Sequence, residues 1–270
     1  SGLVSGSILA GSLTIPIETR FAPGAGWRGP LIFWSIVAAV ALAVWLIASR
    51  DLIRSDRAAS HAAKSGSPAA TMSAEDAAWS PWRDRRTWII AVIAAGQGLA
   101  YYLLIAWLPS VYRDLGLTPG KSATLFVVYN AATLPAIIGF PILSDRIGSR
   151  RIPCVIASCF LIAGSLGLVL APLAFPLAWL WPPLCGMGVA GLFAMSLVLP
   201  ADVAPALRVG AAAGMTLAIG YLGSALGPIL AGVLKDATGG FGGALKTLPA
   251  VGVLMLMFSL MAPARGESSR

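Results

Sequence analysis

Residues 88–109 contain no charged side chain. A helix needs about 20 consecutive apolar residues to cross the hydrocarbon core of a bilayer, so this stretch predicts a membrane span. Its centre nevertheless carries Gln97, Tyr101 and Tyr102. An amide in hydrocarbon is costly unless it meets a partner or a watered cavity. Gln97 and Tyr101 are four residues apart and share a helix face. That face either joins two helices, as polar groups do in membranes, or lines a path for a solute. Both readings stay open from this helix alone.

The rest of the chain repeats the pattern. Apolar runs at 3–17, 31–49, 123–143, 152–171, 177–199, 209–233 and 248–261 bring the expected spans to eight, the first of them short. Pro135 and Pro200 are expected to kink or end their helices. Residues 50–86 form the one long polar segment, read as a mostly disordered linker. Trp79 and Trp82 near its end suggest an interfacial helix or anchor. Of 270 residues, 57% are hydrophobic and only 11% charged, where a soluble domain has about a quarter charged. Alternating apolar and polar strands are absent, which argues against a membrane barrel. The expected fold class is an all-α membrane protein, a polytopic helical bundle whose partner surface is the lipid bilayer.

The formal charge of +8 does not point to nucleic acid, because the basic residues sit between spans. Of 19 Lys and Arg, 13 fall in loops on one side and 6 on the other. The positive-inside rule then places both chain ends and residues 50–86 in the cytoplasm of an inner-membrane protein. Cys154, Cys159 and Cys185 lie in apolar runs without ligand-like spacing, and His61 is in the polar linker. No metal, cofactor or Ser-His-Asp chemistry is expected, and the chain does not read as an enzyme. A structural or assembly protein is the rival, favoured if the polar faces are sealed and dry. A channel lacks a charged ring or filter-like repeat here. The chain opens Ser1-Gly2-Leu3-Val4 without Met and without a basic leader, and reads as cut inside a longer one.

Other polar residues at mid-span are Tyr129, Asn130, Thr133, Ser196, Thr216 and Tyr221. Asn130 and Thr133 share a face, and each residue alone could be helix glue. As a group, Gln97, Tyr101, Tyr102, Asn130, Thr133, Thr216 and Tyr221 are the candidate solute-binding set. Gly223, Gly227 and Pro228 lie on one helix, where small residues allow close backbone approach and Pro bends the axis. That surface serves either static packing or a rocking interface. A faint repeat pairs the region of Pro16 and Gly26-Trp27-Arg28-Gly29 with that of Pro228 and Gly240-Phe241-Gly242-Gly243, as transporters often show.

Between two spans stands Asp145-Arg146-Ile147-Gly148-Ser149-Arg150-Arg151. Gly148 permits a tight reversal, and Asp145 could pair with an Arg or sit at a helix N-terminus. This hairpin resembles the signature of the major facilitator superfamily, matched at Asp145, Arg146, Gly148, Arg150 and Arg151. It departs at Pro141 and Ser149, as suits a second-half copy. The Gly220 to Gly232 helix is similar to that family's eleventh. Tyr101 to Pro109 with Asp114-Leu115-Gly116-Leu117 looks like its cyanate permease branch. The resemblance implies helices five to twelve of twelve. Residues 1–49 would hold the last two helices of the first bundle, 50–86 the linker, and 87–270 the second six-helix bundle. It further implies a monomeric secondary transporter of a small anion or polar organic compound. The first four helices would lie outside this chain, which alone is then not expected to transport. The hairpin residues, with Gly223, Gly227 and Pro228, would act in conformational change.

Overall fold

The computed structural model describes Arg28, residues 31–47, Ser49, residues 78–174 and residues 176–263. The expected span at 3–17 and residues 50–77 of the linker lie outside the described residues. The chain divides into two compact units, Gly2–Ser73 and Ala74–Arg270 with Ser1. In the first unit the described element is helix α1, Leu31–Ile47.

The second unit is built of α2 (Arg85–Asp114), α3 (Pro119–Ile147), α4 (Arg151–Leu170), α5 (Trp181–Val198), the single turn α6 (Pro200–Val203), α7 (Val209–Thr238) and α8 (Gly242–Leu260). Counting α5 with its flanking turns as one, six helices among the described residues are long and apolar enough to cross a membrane. Each expected span in this unit is present. Most of the helices outrun their apolar stretch, because the capping residues lie in the polar flanks. Asp84 starts α2 by accepting from the Arg86 amide at 2.9 Å and the Thr87 hydroxyl at 3.2 Å. Thr118 caps α3, with Pro119 in the first turn, where its lack of an N–H costs nothing. Gly148 closes α3 at φ 71°, a left-handed conformation that glycine adopts without a Cβ penalty.

The prolines divide by position. Pro135 and Pro141 lie inside α3, Pro228 inside α7 and Pro249 inside α8. Pro200 opens the turn α6 after α5 ends at Val198. Residues 79–84, which include Trp79 and Trp82, are not helical. Trp82 is exposed and packs edge-on against Trp88, whose indole N–H donates to the Trp82 carbonyl at 3.0 Å.

The core lies where α2, α3, α4 and α5 meet, around Ile90, Leu104, Leu108, Leu125, Tyr129, Leu161, Leu192 and Met195. Helix α2 packs most extensively on α7, α5 on both α3 and α4, and α8 on α4. The α2–α7 crossing depends on missing Cβ atoms. A Cβ on Gly223 would strike the Ala95 carbonyl and one on Gly227 the Leu99 carbonyl. Backbones this close gain dispersion contacts in a medium where the hydrophobic effect offers little between helices. The outward face of α7 carries Leu222, Leu226, Ile229 and Val233.

Candidate functional site

Two polar assemblies stand out in the second unit. The first is the hairpin joining α3 to α4. Arg150, its last residue, has a side chain only 9% exposed. Its guanidinium donates to Asp145 Oδ1 at 2.9 Å, to Ser144 Oγ at 3.0 Å and, through Nε, to Asp202 Oδ2 at 2.8 Å. Burial opposes its charge. The Asp202 carboxylate, then Asp145, outweigh that, and the Arg150 pKa is raised above the ordinary guanidinium value. Arg151 reaches across to the Ala262 carbonyl with Nε and Nη2, at 3.3 and 3.2 Å. The hairpin thus ties the end of α3, the start of α4, turn α6 and the end of α8. Of the two expected placements of Asp145, the structure has the Arg pair. Arg146 points to the exterior. The sequence gives no local sign that Asp202, on α6, is a partner of Arg150 from 52 residues away.

The second assembly is at the middle of α2 and α3. Tyr101 packs on Tyr102 at 5.3 Å between ring centroids and on Tyr129 at 6.3 Å, and Tyr129 stacks on Phe126 at 6.3 Å. Asn130 is buried, its Nδ2 donating to the Phe126 carbonyl at 3.0 Å; Thr133 donates to the Asn130 carbonyl at 2.7 Å. Gln97 is buried one turn before Tyr101 and makes no hydrogen bond with a described residue. Buried polar atoms without a partner include the Tyr101 and Tyr129 hydroxyls and Asn130 Oδ1.

Of the candidate residues, the structure packs Tyr101 on Tyr102 and on Tyr129; Tyr129 is the chain neighbour of Asn130, whose carbonyl Thr133 caps, while Gln97 shares the Tyr101 face by its spacing. Thr216 is buried on α7 and its hydroxyl lacks a partner. Gly220 lies against Ala94 and Gly227 against Leu99, so α2 and α7 run parallel. At 1.5 Å per residue, Thr216 sits roughly 10 Å along the bundle from the level of Gln97. Tyr221 is exposed on α7. Tyr129, at the centre of the ring cluster, is a mid-span polar residue outside the candidate set. Its neighbour Asn130 has the more obvious chemistry, and only packing reveals that the phenol turns inward.

At the far end of α2, the Trp107 indole donates to the Pro228 carbonyl at 3.2 Å. A proline nitrogen leaves unpaired the carbonyl one turn earlier, that of Ser224; the indole reaches the carbonyl of Pro228 itself, not that one. Lys235 Nζ lies 5.5 Å from the Trp107 ring centre and 4.7 Å from that of Phe241, a cation–π arrangement that links α2, α7 and the start of α8.

A family model of the Major Facilitator Superfamily matches residues 1–228. The chain is 26% identical over 260 residues to an uncharacterized transporter of Bacillus subtilis (strain 168), covering 96% of this chain and 59% of that protein. It is 25% identical over 255 residues to the 2-nitroimidazole transporter of Escherichia coli (strain K12), covering 94% and 60%. It is 28% identical over 244 residues to the cyanate transport protein of the same organism, covering 88% and 58%. The chain spans about three fifths of the length of these relatives.

Proposed function

The chain belongs to the major facilitator superfamily, and we propose that the protein carrying it moves a small solute across a membrane by alternating access. In this reading, residues 87–270 form one of two rocking bundles, and the solute site lies near the membrane midplane. Gln97, Tyr101, Tyr102, Asn130 and Thr133 contribute to it, with Tyr129 added from the packing. Thr216 and Tyr221 are offered to the same path from α7. The observation that carries the reading is the unpartnered set of Tyr101 and Tyr129 hydroxyls and Asn130 Oδ1. Helix glue hydrogen-bonds within the protein, and a buried polar group without a partner costs about 1–3 kcal/mol. A solute that meets these groups offsets that cost. Relatives named for 2-nitroimidazole and cyanate transport support a small polar cargo.

The test is solute affinity in the full-length protein. Gln97→Leu should weaken binding by about 1–3 kcal/mol if it removes a needed hydrogen bond. Unchanged affinity together with raised thermal stability would make Gln97 helix glue and favour a structural role.

The excess of Lys and Arg in alternate loops supports an inner-membrane orientation with residues 50–86 and both chain ends cytoplasmic. A cysteine placed by His61→Cys should resist an impermeant thiol reagent in right-side-out vesicles. Rapid labelling would reverse the orientation.

A further inference from the structure

The orientation of one amide narrows what the midplane site accepts. Asn130 Nδ2 donates to the Phe126 carbonyl at 3.0 Å. A backbone carbonyl only accepts, so the amide nitrogen must face it; the flipped amide would set two acceptors against each other. The end left without a partner is therefore Oδ1, which can accept but never donate. The Tyr101 and Tyr129 hydroxyls, also unpartnered, can each donate. Tyr129 is the fully buried middle of a wall of rings with half-buried ends at Phe126 and Tyr101: Phe126 and Tyr129 are stacked with 21° between planes, and Tyr101 is tilted 31° to Tyr129. No Lys, Arg or His occurs in α2 between Trp88 and Tyr112 or in α3 between Ser122 and Ser144.

We infer that this site takes an uncharged, planar solute carrying an N–H or O–H donor as well as an acceptor. The inference rests on the reading of the midplane cluster as the solute site. The donor meets Asn130 Oδ1, the acceptor meets the Tyr101 or Tyr129 hydroxyl, and the flat face lies along the ring wall. A bare anion such as cyanate satisfies the hydroxyls but sets its charge against the Asn130 oxygen, with no cation in the middle stretches of α2 and α3, residues 88–112 and 122–144, to compensate. In a low-dielectric interior such an acceptor–anion contact is unfavourable. Sites built to hydrogen-bond a group reject an analogue that lacks it far more strongly than they reject a missing methylene, because buried polar atoms are then left unpaired.

Pyrazole and 1-methylpyrazole test this on the full-length protein. They are similar in shape and share an acceptor nitrogen, but only pyrazole has the N–H. Isothermal titration in nanodiscs should show pyrazole binding at least about tenfold more tightly than either 1-methylpyrazole or cyanate. Asn130→Leu should erase most of that preference, and Tyr129→Phe should weaken pyrazole. The comparison is read first on the unaltered protein, so a variant that misfolds does not remove it. Equal binding of the two pyrazoles, tighter binding of cyanate, or no binding of pyrazole overturns the inference. If cyanate binding falls in Tyr101→Phe and Tyr129→Phe but ignores Asn130→Leu, the site stands and the donor-bearing class falls. If no probe responds to any of the three variants, the site itself was misplaced.

Discussion

At the α3–α4 hairpin a single guanidinium meets two carboxylates and a hydroxyl within 3.0 Å. Four turns and more back along the same α3, two hydroxyls and an amide oxygen around Tyr129 and Asn130 meet no protein partner. Both regions are polar, and the central group of each, Arg150 and Tyr129, is buried. Their difference teaches which polar groups hold the bundle and which are kept for something else. A partnered network has already gained its hydrogen bonds and resists rearrangement. An unpartnered one is a standing cost, tolerated where another molecule can relieve it.

The sharpest break of this comparison is Arg150→Ala. Removing one member of an enclosed ion pair leaves charges uncompensated and costs about 3–5 kcal/mol when the pair is fully buried. Here the partners differ: the Asp202 side chain is 16% exposed and that of Asp145 60%. Arg150→Ala should therefore destabilise most in chemical or thermal unfolding and Asp202→Asn less. Asp145→Asn should cost under about 1 kcal/mol, as exposed ion pairs do. If Asp145→Asn nonetheless cuts transport per molecule in the full-length protein, its role is conformational rather than structural. An equal loss of stability in all three variants would mean the hairpin is one rigid unit with no exposed arm.

Next in size is the α2–α7 crossing. Gly223→Val places side-chain atoms where the Ala95 carbonyl lies, and backbone cannot yield as a flexible side chain would. Overpacking of this kind costs about 1–3 kcal/mol. Gly210 offers a control on the same helix, since a Cβ there meets nothing within 4 Å. A Gly223→Val protein as stable as Gly210→Ala would show that α2 and α7 slide apart freely, the behaviour expected of a moving interface rather than a fixed one.

How far the sequence foretold this depends on the range of the interaction. The spans were legible because roughly 20 uncharged residues admit few alternatives. The Asp145-to-Arg151 hairpin was legible because its glycine and charges are adjacent in the chain. The Arg150–Asp202 contact was not, because α6 reaches the hairpin only after α5 has crossed back through the bundle. Likewise Gln97 and Tyr101 could be placed on one face by spacing alone. That Tyr129 turns toward Tyr101 while Tyr221 stays exposed is decided by helix rotation within the bundle, which the uniformly apolar spans hardly encode. Helix ends were underestimated for a similar reason: hydropathy marks the lipid-facing length, whereas Asp84 and Thr118 mark the backbone's.

The smallest effect is also the most discriminating, because its sign should differ between the two kinds of region. Ser158 on α4 and Ser259 on α8 are buried and hydrogen-bonded to one another at 3.1 Å, a partnered pair far from the ring cluster in sequence. Ser158→Ala removes a satisfied bond and should cost about 0.6 kcal/mol, the typical value between membrane helices. It also leaves Ser259 without that partner. Tyr129→Phe deletes a hydroxyl that bonds to nothing in the protein, so no hydrogen bond is lost and a desolvation cost is removed. The solute-free protein should be as stable as before, or more so. Measured side by side as melting temperatures, with and without a saturating solute, the two variants should part company. Ser158→Ala melts lower in both conditions by the same amount. Tyr129→Phe melts level with or above the parent when solute-free and loses part of the stabilisation that the solute confers. A Tyr129→Phe protein that melts lower without solute would mean that its hydroxyl is partnered after all, and the two regions would then differ only in how much of their bonding the protein itself supplies.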